Sequence, residues 1–312
     1  MHIIVTGGAG FIGSHLLEQL LSAAHRVTVV DNFATGKRHN LPQHANLTLL
    51  EKDVLDCGVS DFPEQYDGFV HLAATPSVTQ SWVEPVAAHH NNLSATMAAI
   101  QLCHRLKIPR LVFASSAAVY GNPSQVPLPE DAATAPISPY GLQKLMGEQY
   151  LNLFCQELGF SAVSLRFFNV FGPRQDPRSP YSGVISIFSQ AMLEGRPISI
   201  NGDGTQTRDF IYVKDIAMAL GQALTVELEA GSSLVCNLGT GQSISLNQLK
   251  GSLAACFPEW GAKTTFAPPR LGDIQDSQAD ISKARQYLGF EPRYSTQEGL
   301  QALCQSLIAA DA

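Results

Sequence analysis

Thr6-Gly7-Gly8-Ala9-Gly10-Phe11-Ile12-Gly13 joins a β-branched run, His2–Thr6, to a helical pattern over Phe11–Ala23. Each glycine has a task in such a turn. Gly7 permits the tight bend, Gly10 lets the backbone approach a pyrophosphate, and Gly13 lets the helix pack closely on the strand. The first helical turn, with Phe11 and Ile12, offers unpaired N–H groups and the positive end of a helix dipole to phosphate. Alone, the run reads equally well as an ordinary tight turn. The next strand changes that, because Asp31 stands at its end, 18 residues past Gly13. A carboxylate there accepts both hydroxyls of an adenosine ribose and repels a 2′-phosphate. The expected cofactor is therefore NAD rather than NADP, and only the cation pair Lys37–Arg38 leaves room for an extra phosphate.

Outward from this turn, short apolar runs alternate with helical patterns. Strands are expected at His2–Thr6, Arg26–Val30, Leu47–Glu51, Gly68–Leu72, Arg110–Ala114 and Ala162–Arg166. Helices are expected at Phe11–Ala23, Asn92–Arg105 and Pro139–Glu157, the last with acid and lysine on its outer face. Such alternation predicts an α/β fold, a doubly wound parallel sheet of the Rossmann kind. Asn122 to Pro139 contains five prolines and reads as a surface loop. Past Gly172 the alternation weakens into short pieces around a helix near Ile185–Glu194. We expect a cofactor domain over 1–170 and a smaller α/β substrate-binding lobe over 171–312, the chain returning to the first domain near 213–245.

Composition narrows the class. The chain has 312 residues, 45% of them hydrophobic and 15% charged. A chain this long buries roughly three quarters of its unfolded surface and needs no disulfide or metal staple. A net charge of −7 argues against a nucleic-acid partner, which calls for a basic face. No apolar run reaches the ~18–20 residues that span a bilayer, and Met1-His2-Ile3-Ile4-Val5 lacks the basic start of a secretory signal. Six scattered cysteines, with no Cys-x-x-Cys pair and no nearby histidine set, imply neither a metal nor a disulfide framework. The expectation is a reduced, cytoplasmic protein without membrane contact.

Tyr140-Gly141-Leu142-Gln143-Lys144 puts a phenol and an ammonium four residues apart, one helical turn on one face. A phenol of pKa near 10 is a poor base until neighbouring positive charge stabilises the phenolate. Ser116, ending the strand Phe113-Ala114-Ser115-Ser116, is placed to hydrogen-bond a substrate hydroxyl. Tyr-x-x-x-Lys is common on ordinary helices; behind a dinucleotide turn and a Ser-ended strand it reads as an acid–base set, with Tyr140, Lys144 and Ser116 its catalytic members. Ser115 alternates to the other side of the strand and is expected to matter little.

With these motifs in order, the chain resembles the extended short-chain dehydrogenase/reductases. Within them it is similar to the nucleotide-sugar epimerases of the UDP-galactose and UDP-N-acetylglucosamine 4-epimerase type. The resemblance runs end to end. It is carried by Thr6–Gly13, Asp31-Asn32, Asp53-Val54, His71-Leu72-Ala73-Ala74, Asn92, Ser115-Ser116, Val119-Tyr120-Gly121, Tyr140 with Lys144, Arg166-Phe167-Phe168-Asn169, Arg208-Asp209-Phe210 and Arg270-Leu271-Gly272-Asp273. It implies that Asn32 and Asn92 join the cofactor residues, Asp53 and Val54 hold the adenine, and Leu72, Ala73 and Ala74 line the cofactor. Lys144 would bind the nicotinamide ribose. Asn169, Arg208, Arg270 and Asp273 would hold a UDP portion, guanidinium being a forked, permanent partner for diphosphate.

The same scaffold hosts dehydratases and decarboxylases, which carry an acid after the catalytic hydroxyl residue. Ala117 and Ala118 stand there, and methyl groups cannot shuttle protons. What remains is oxidation and re-reduction at one carbon: 4-epimerisation through a transient 4-keto sugar. In the resembled enzymes, the fourth residue after the Asp of Arg-x-Gly-Asp borders the sugar's C2 group, and here it is Ser277. A small residue admits an N-acetyl group, so UDP-GlcNAc/UDP-GalNAc is the expected pair, with UDP-Glc/UDP-Gal beside it. The alternatives are a UDP-glucuronate 4-epimerase using Arg174 or Arg178 toward C5, another nucleotide-sugar oxidoreductase, or a non-catalytic NAD-binding relative. A homodimer is expected through the helices carrying Leu93, Met97, Ile100, Leu145, Leu151 and Phe154.

Overall fold

The computed structural model describes residues 1–176, 183–269 and 274–311. Its first half is β1 His2–Thr6, α1 Phe11–Ser22, β2 Arg26–Asp31, β3 Leu47–Glu51, β4 Gly68–His71, α2 Val78–Val83, α3 Pro85–His89, α4 Ala95–Arg105, β5 Arg110–Ser116, α5 Pro139–Leu158 and β6 Ser161–Phe167. There follow β7 Asn169–Phe171, α6 Val184–Leu193, β8 Ile198–Asn201, β9 Thr207–Arg208, β10 Phe210–Tyr212, α7 Val213–Thr225, β11 Ser233–Leu238, β12 Ile244–Ser245, α8 Leu246–Cys256, β13 Thr264–Ala267, α9 Ser282–Leu288 and α10 Thr296–Asp311.

Seven of these strands form one parallel sheet in the order β11-β6-β5-β4-β1-β2-β3. Its central strands are apolar on both faces because both faces are covered, as parallel sheets require. On one face, Leu16, Leu17 and Leu20 of α1 pack with Ile216 and Leu220 of α7. On the other, Ile100 of α4 packs with Leu151 and Cys155 of α5. This is a Rossmann-like fold. The strand order reverses about β1, and the crevice beyond the carboxyl ends of β1, β2, β4 and β5 is where such sheets bind ligands.

The later elements build a smaller body from three two-stranded pairings, β7 with β10, β9 with β12 and β8 with β13. Phe171, Phe188, Ile200, Leu249 and Leu303 fill its core. Three later segments belong to the first body instead: α7 lies on α1, β11 extends the sheet beside β6, and Ala284 and Leu288 of α9 join the same core.

Several expectations need correction. β5 runs on to Ser116, past Ala114. The helix expected from Asn92 is a π turn over His90–Ser94 followed by α4. On α5, Lys144 and Glu148 face inward, 5% and 6% exposed, rather than outward. Leu93, Ile100 and Leu151 are core residues, so of the apolar positions expected at a dimer contact only Met97, Leu145 and Phe154 are part-exposed. Among the described residues no helix is long and apolar enough to cross a membrane.

Candidate active site

The first turn of α1 opens onto a cleft of about 340 Å³ that crosses the ends of the sheet strands. Gly7 sits at φ +71°, and a Cβ on it would lie 2.8 Å from the Ala73 nitrogen. A Cβ on Gly13 would lie 2.2 Å from the Gly7 carbonyl oxygen. No larger residue fits either place, so β1, α1 and the strand end at Ala73 stay in close contact. Gly10 caps α1 with no side-chain partner, and no acid stands in the helix's first turn. Gly7, Gly10, Phe11, Ile12 and Gly13 all line the cleft. This is the concave, positively polarised, glycine-rich surface that a pyrophosphate requires, and it fits a dinucleotide.

At the other end of that surface Asp31 is buried at the tip of β2. Its Oδ2 accepts from the Ala9 amide at 2.9 Å and its Oδ1 from the Phe33 amide at 2.9 Å. The carboxylate therefore braces the glycine turn as well as facing the cleft; each oxygen keeps a second acceptor site. Asn32 donates to Asp53 Oδ2 at 2.8 Å, while Asp53 Oδ1 accepts from the Leu55 amide, which seats Val54 against the cleft. The two cations that left room for a phosphate are engaged. Lys37 pairs with Asp176 at 2.9 Å, and Arg38 pairs with Glu51 and lies over the Phe33 ring. Leu72, Ala73 and Ala74 form the wall beyond β4.

Asn92 is misplaced by the sequence reading. Its side chain is buried, with Oδ1 accepting from the Thr75 amide and Nδ2 donating to the Gln143 side chain at 2.7 Å. The residue that lines the cleft is its neighbour Asn91, which donates to the Thr75 hydroxyl. The π turn shifts the helical register at this point, a local distortion that helical spacing cannot show.

Tyr140 and Lys144 line the far end of the cleft, one turn apart on α5. Ser138 caps that helix through the Gly141 amide, Pro139 fills its first position, and the Tyr140 amide donates to buried Ser81. Burial pushes the Tyr140 phenol up, and its hydrogen bond with Ser116 pulls it back only in part. Burial lowers Lys144 to about 8, against the opposing pull of Glu148. The Lys144 ammonium donates to the Ala114 carbonyl at 2.7 Å and lies 5.9 Å from the centre of the Tyr140 ring. Ser116 ends β5, and its Oγ accepts from the Ala118 amide at 3.2 Å. Tyr, Lys and Ser are thus brought together, as the spacing suggested. Deeper still, His71 is held neutral, lowered to about 3 by burial and then by Lys144, with Nδ1 on Thr6 and Nε2 unpartnered.

The residues assigned to the sugar nucleotide are less fully gathered. Asn169 Nδ2 donates to the Asp209 carbonyl at 3.1 Å. Arg208 donates to the Thr207 and Gln275 carbonyls, and the Ser277 amide donates to the Thr207 carbonyl at 3.2 Å. Arg208 and Ser277 therefore meet along one seam, and Ser277 is buried in it. Arg270, Asp273 and Arg178 lie outside the described residues. Arg174, the other cation considered for C5 of a glucuronate, pairs with Glu18 at 2.9 Å and donates to His15 Nδ1 at 2.8 Å. Asp209, unassigned from sequence, is fully buried and accepts from the amides of Thr240, Gly241 and Ala279, which locks the strand before it to the later loops. The Ser115 hydroxyl donates to Glu148, which stands in a buried ion pair with Arg166.

The profile of the NAD dependent epimerase/dehydratase family matches residues 3–239. The chain belongs to that family. It is 37% identical over 303 residues to a putative UDP-glucose 4-epimerase of Methanocaldococcus jannaschii, covering 96% of each chain. Among solved structures, it is similar to a UDP-N-acetylglucosamine 4-epimerase from Methanobrevibacter ruminantium in complex with UDP-N-acetylmuramic acid. There the TM-score is 0.93 and the identity 38%, with 99% of this chain and 98% of the other covered. The UDP-glucose 4-epimerase of Thermotoga maritima with UDP-glucose gives a TM-score of 0.94 at 35% identity, with 100% of both chains covered.

Proposed function

We propose that this NAD-dependent UDP-sugar 4-epimerase interconverts UDP-GlcNAc and UDP-GalNAc, with UDP-Glc and UDP-Gal as further substrates. The observation that carries the acetamido assignment is Ser277, a small side chain set against the seam that holds Arg208. Arg174, already committed to Glu18 and His15, speaks against a glucuronate carboxylate as the group read at C5.

Gly7, Gly10, Phe11, Ile12 and Gly13 would take the cofactor's pyrophosphate, and Asp31 and Asn32 its adenosine ribose. Asp53 and Val54 would flank the adenine, with Leu72, Ala73, Ala74 and Asn91 along the remainder and Lys144 at the nicotinamide ribose. When bound, NAD supplies a hydride acceptor and donor for sugar C4. Tyr140 takes the proton of the 4-hydroxyl and returns it, Ser116 holds that hydroxyl in line, and Lys144 supplies the positive charge that makes a buried phenolate tolerable. Ala117 and Ala118 put no second acid beside C4, so the residues support proton exchange at one oxygen only. Asn169, Arg208, Arg270, Asp273 and Ser277 would hold the UDP-sugar. We read 1–170 as the cofactor domain and 171–312 as the sugar-nucleotide lobe, with α7, β11 and α9 returned to the first.

The proposed assembly is a homodimer in the cytoplasm. Exposed Leu142 and Leu153 on α5, with Val83 and Val86 nearby in sequence to α4, supply the apolar surface, and six unpaired thiols suit a reducing compartment. Light scattering at micromolar concentration is expected to give twice the chain mass.

The deciding assay feeds UDP-GlcNAc and UDP-Glc separately and follows the 4-epimers. UDP-GalNAc is expected to form, and Ser277→Tyr should lower kcat/KM for the acetamido pair by about 5- to 150-fold, the cost of overpacking a pocket, while sparing the hexose pair. A ratio unchanged by Ser277→Tyr overturns the acetamido assignment.

A further inference from the structure

Glu148 and Arg166 form an ion pair at 2.8 Å in which both side chains are almost wholly buried. Such a pair is rarely the most stable filling for a core, and its best-attested use is to fix one arrangement over others. The contacts of this pair say which arrangement. Glu148 Oε1 accepts from the Ser115 hydroxyl. Arg166 Nη1 donates to the Tyr120 phenol oxygen at 2.9 Å, and its guanidinium lies 4.9 Å from the centre of that ring. Tyr120 in turn donates to Asn237 Oδ1 at 2.6 Å on β11. Ser115 and Tyr120 are the two ends of one short segment, a strand end and a single 3₁₀ turn, and Ser116 lies inside it. The Ser116 hydroxyl accepts from the Ala118 amide of the same turn, so the turn's position sets where that hydroxyl stands. Glu148 also lies one helical turn from Lys144 and two from Tyr140 on the same buried face of α5.

We propose that the Glu148–Arg166 pair is a positioning device for the reaction: it grips the Ser116 segment at both ends and ties it to the helix that carries Tyr140 and Lys144. This rests on the reading of Tyr140 and Ser116 as the acid–base pair. A misplacement of about 1 Å at such a site costs up to ~100-fold in rate with little change in binding. Because Tyr120, Glu148 and Arg166 do not line the cleft, and Ser115, which does, has its hydroxyl on Glu148, the loss belongs in kcat and not in KM.

Replacing Glu148 leaves Arg166 as a buried unpaired cation and endangers folding, so the test uses the two ends of the segment. Tyr120→Phe keeps the ring and removes its donor; Ser115→Ala removes the other tether; Ser115→Thr restores a hydroxyl. In the NAD-loaded full-length enzyme, Tyr120→Phe and Ser115→Ala are each expected to lower kcat about 10- to 100-fold, with KM for the UDP-sugar within about twofold, and Ser115→Thr should recover part of the loss. Tyr140→Phe is run alongside. If Tyr140→Phe is inactive while both tether variants keep full kcat at a lowered melting temperature, the pair is a structural feature only and the proposal falls. If Tyr140→Phe is itself active, the acid–base reading falls instead.

Discussion

Tyr140 and Lys144 are both buried, and burial favours the uncharged form of each. In the free protein the phenol is therefore protonated, and it needs positive charge close by before it can act as a base. Lys144 gives that charge only while it is itself protonated. Since its pKa is lowered to about 8, the ammonium is present below that pH and is lost as pH rises through it. kcat/KM is expected to fall on the alkaline side near pH 8, well before an ordinary lysine would titrate. Tyr140→Phe keeps the ring's packing and removes the proton acceptor, so the rate should fall by the roughly 10²- to 10⁴-fold typical of a lost general base. Ser116→Ala should cost less, because Tyr140 can reach the hydroxyl directly. A pH–rate profile and the two variants' turnover check these together; a flat profile through pH 9 would remove Lys144 from the chemistry.

Adjacent residues of one element can have opposite fates, and Asn91 and Asn92 make the case. Asn92 satisfies Thr75 and Gln143 inside the protein, while Asn91 faces the cleft. Asn91→Ala should weaken NAD retention on dialysis with a small change in melting temperature. Asn92→Ala leaves the buried Gln143 side-chain oxygen without its donor, a cost of about 1–3 kcal/mol, and should act mainly on stability. The reverse pattern would sink the assignment. The pair also marks what the sequence could express. The sheet strands were readable because β-branched runs bounded by Gly, Asp and Pro have a period of their own. The glycine turn and Tyr140 with Lys144 were readable because their spacing is their geometry. The inward face of Glu148 and the grip of the Thr240, Gly241 and Ala279 amides on Asp209 depend on partners 18 to 70 residues away, and neither those nor the π turn at His90–Ser94 is carried by a local pattern. The sugar-nucleotide seam was read only through resemblance, since Asn169, Arg208 and Ser277 come from three separate segments.

Across the whole molecule, acid stability follows from two imidazoles that the fold keeps neutral. His71 stands beneath Lys144 in the sheet core, lowered to about 3 by burial and by that ammonium. His15 is lowered to about 4, chiefly by burial, on α1, where it donates to the Pro173 carbonyl and accepts from Arg174. Both folded values lie below the ordinary 6.5. In the window between, the unfolded chain binds protons that the folded chain refuses, so stability is complete above about pH 6.5 and is lost as pH falls. Each imidazole contributes a slope of about 1.4 kcal/mol per pH unit in that window. The buried carboxyls of Glu130, Asp209 and Asp215, raised chiefly by burial, act in the opposite sense where they begin to protonate in the folded chain. The melting temperature should therefore decline steadily from pH 6.5 to 5, and His15→Gln and His71→Gln should each flatten the decline even where they lower the value at pH 7. Because the folded chain refuses both protons until about pH 4, neither imidazole loosens the cleft between pH 7 and 5. NAD should then stay bound until the chain unfolds, and calorimetry with parallel measurement of free NAD between pH 7 and 5 tests this; cofactor released ahead of the calorimetric transition would show that one of the two imidazoles takes up its proton in the folded state.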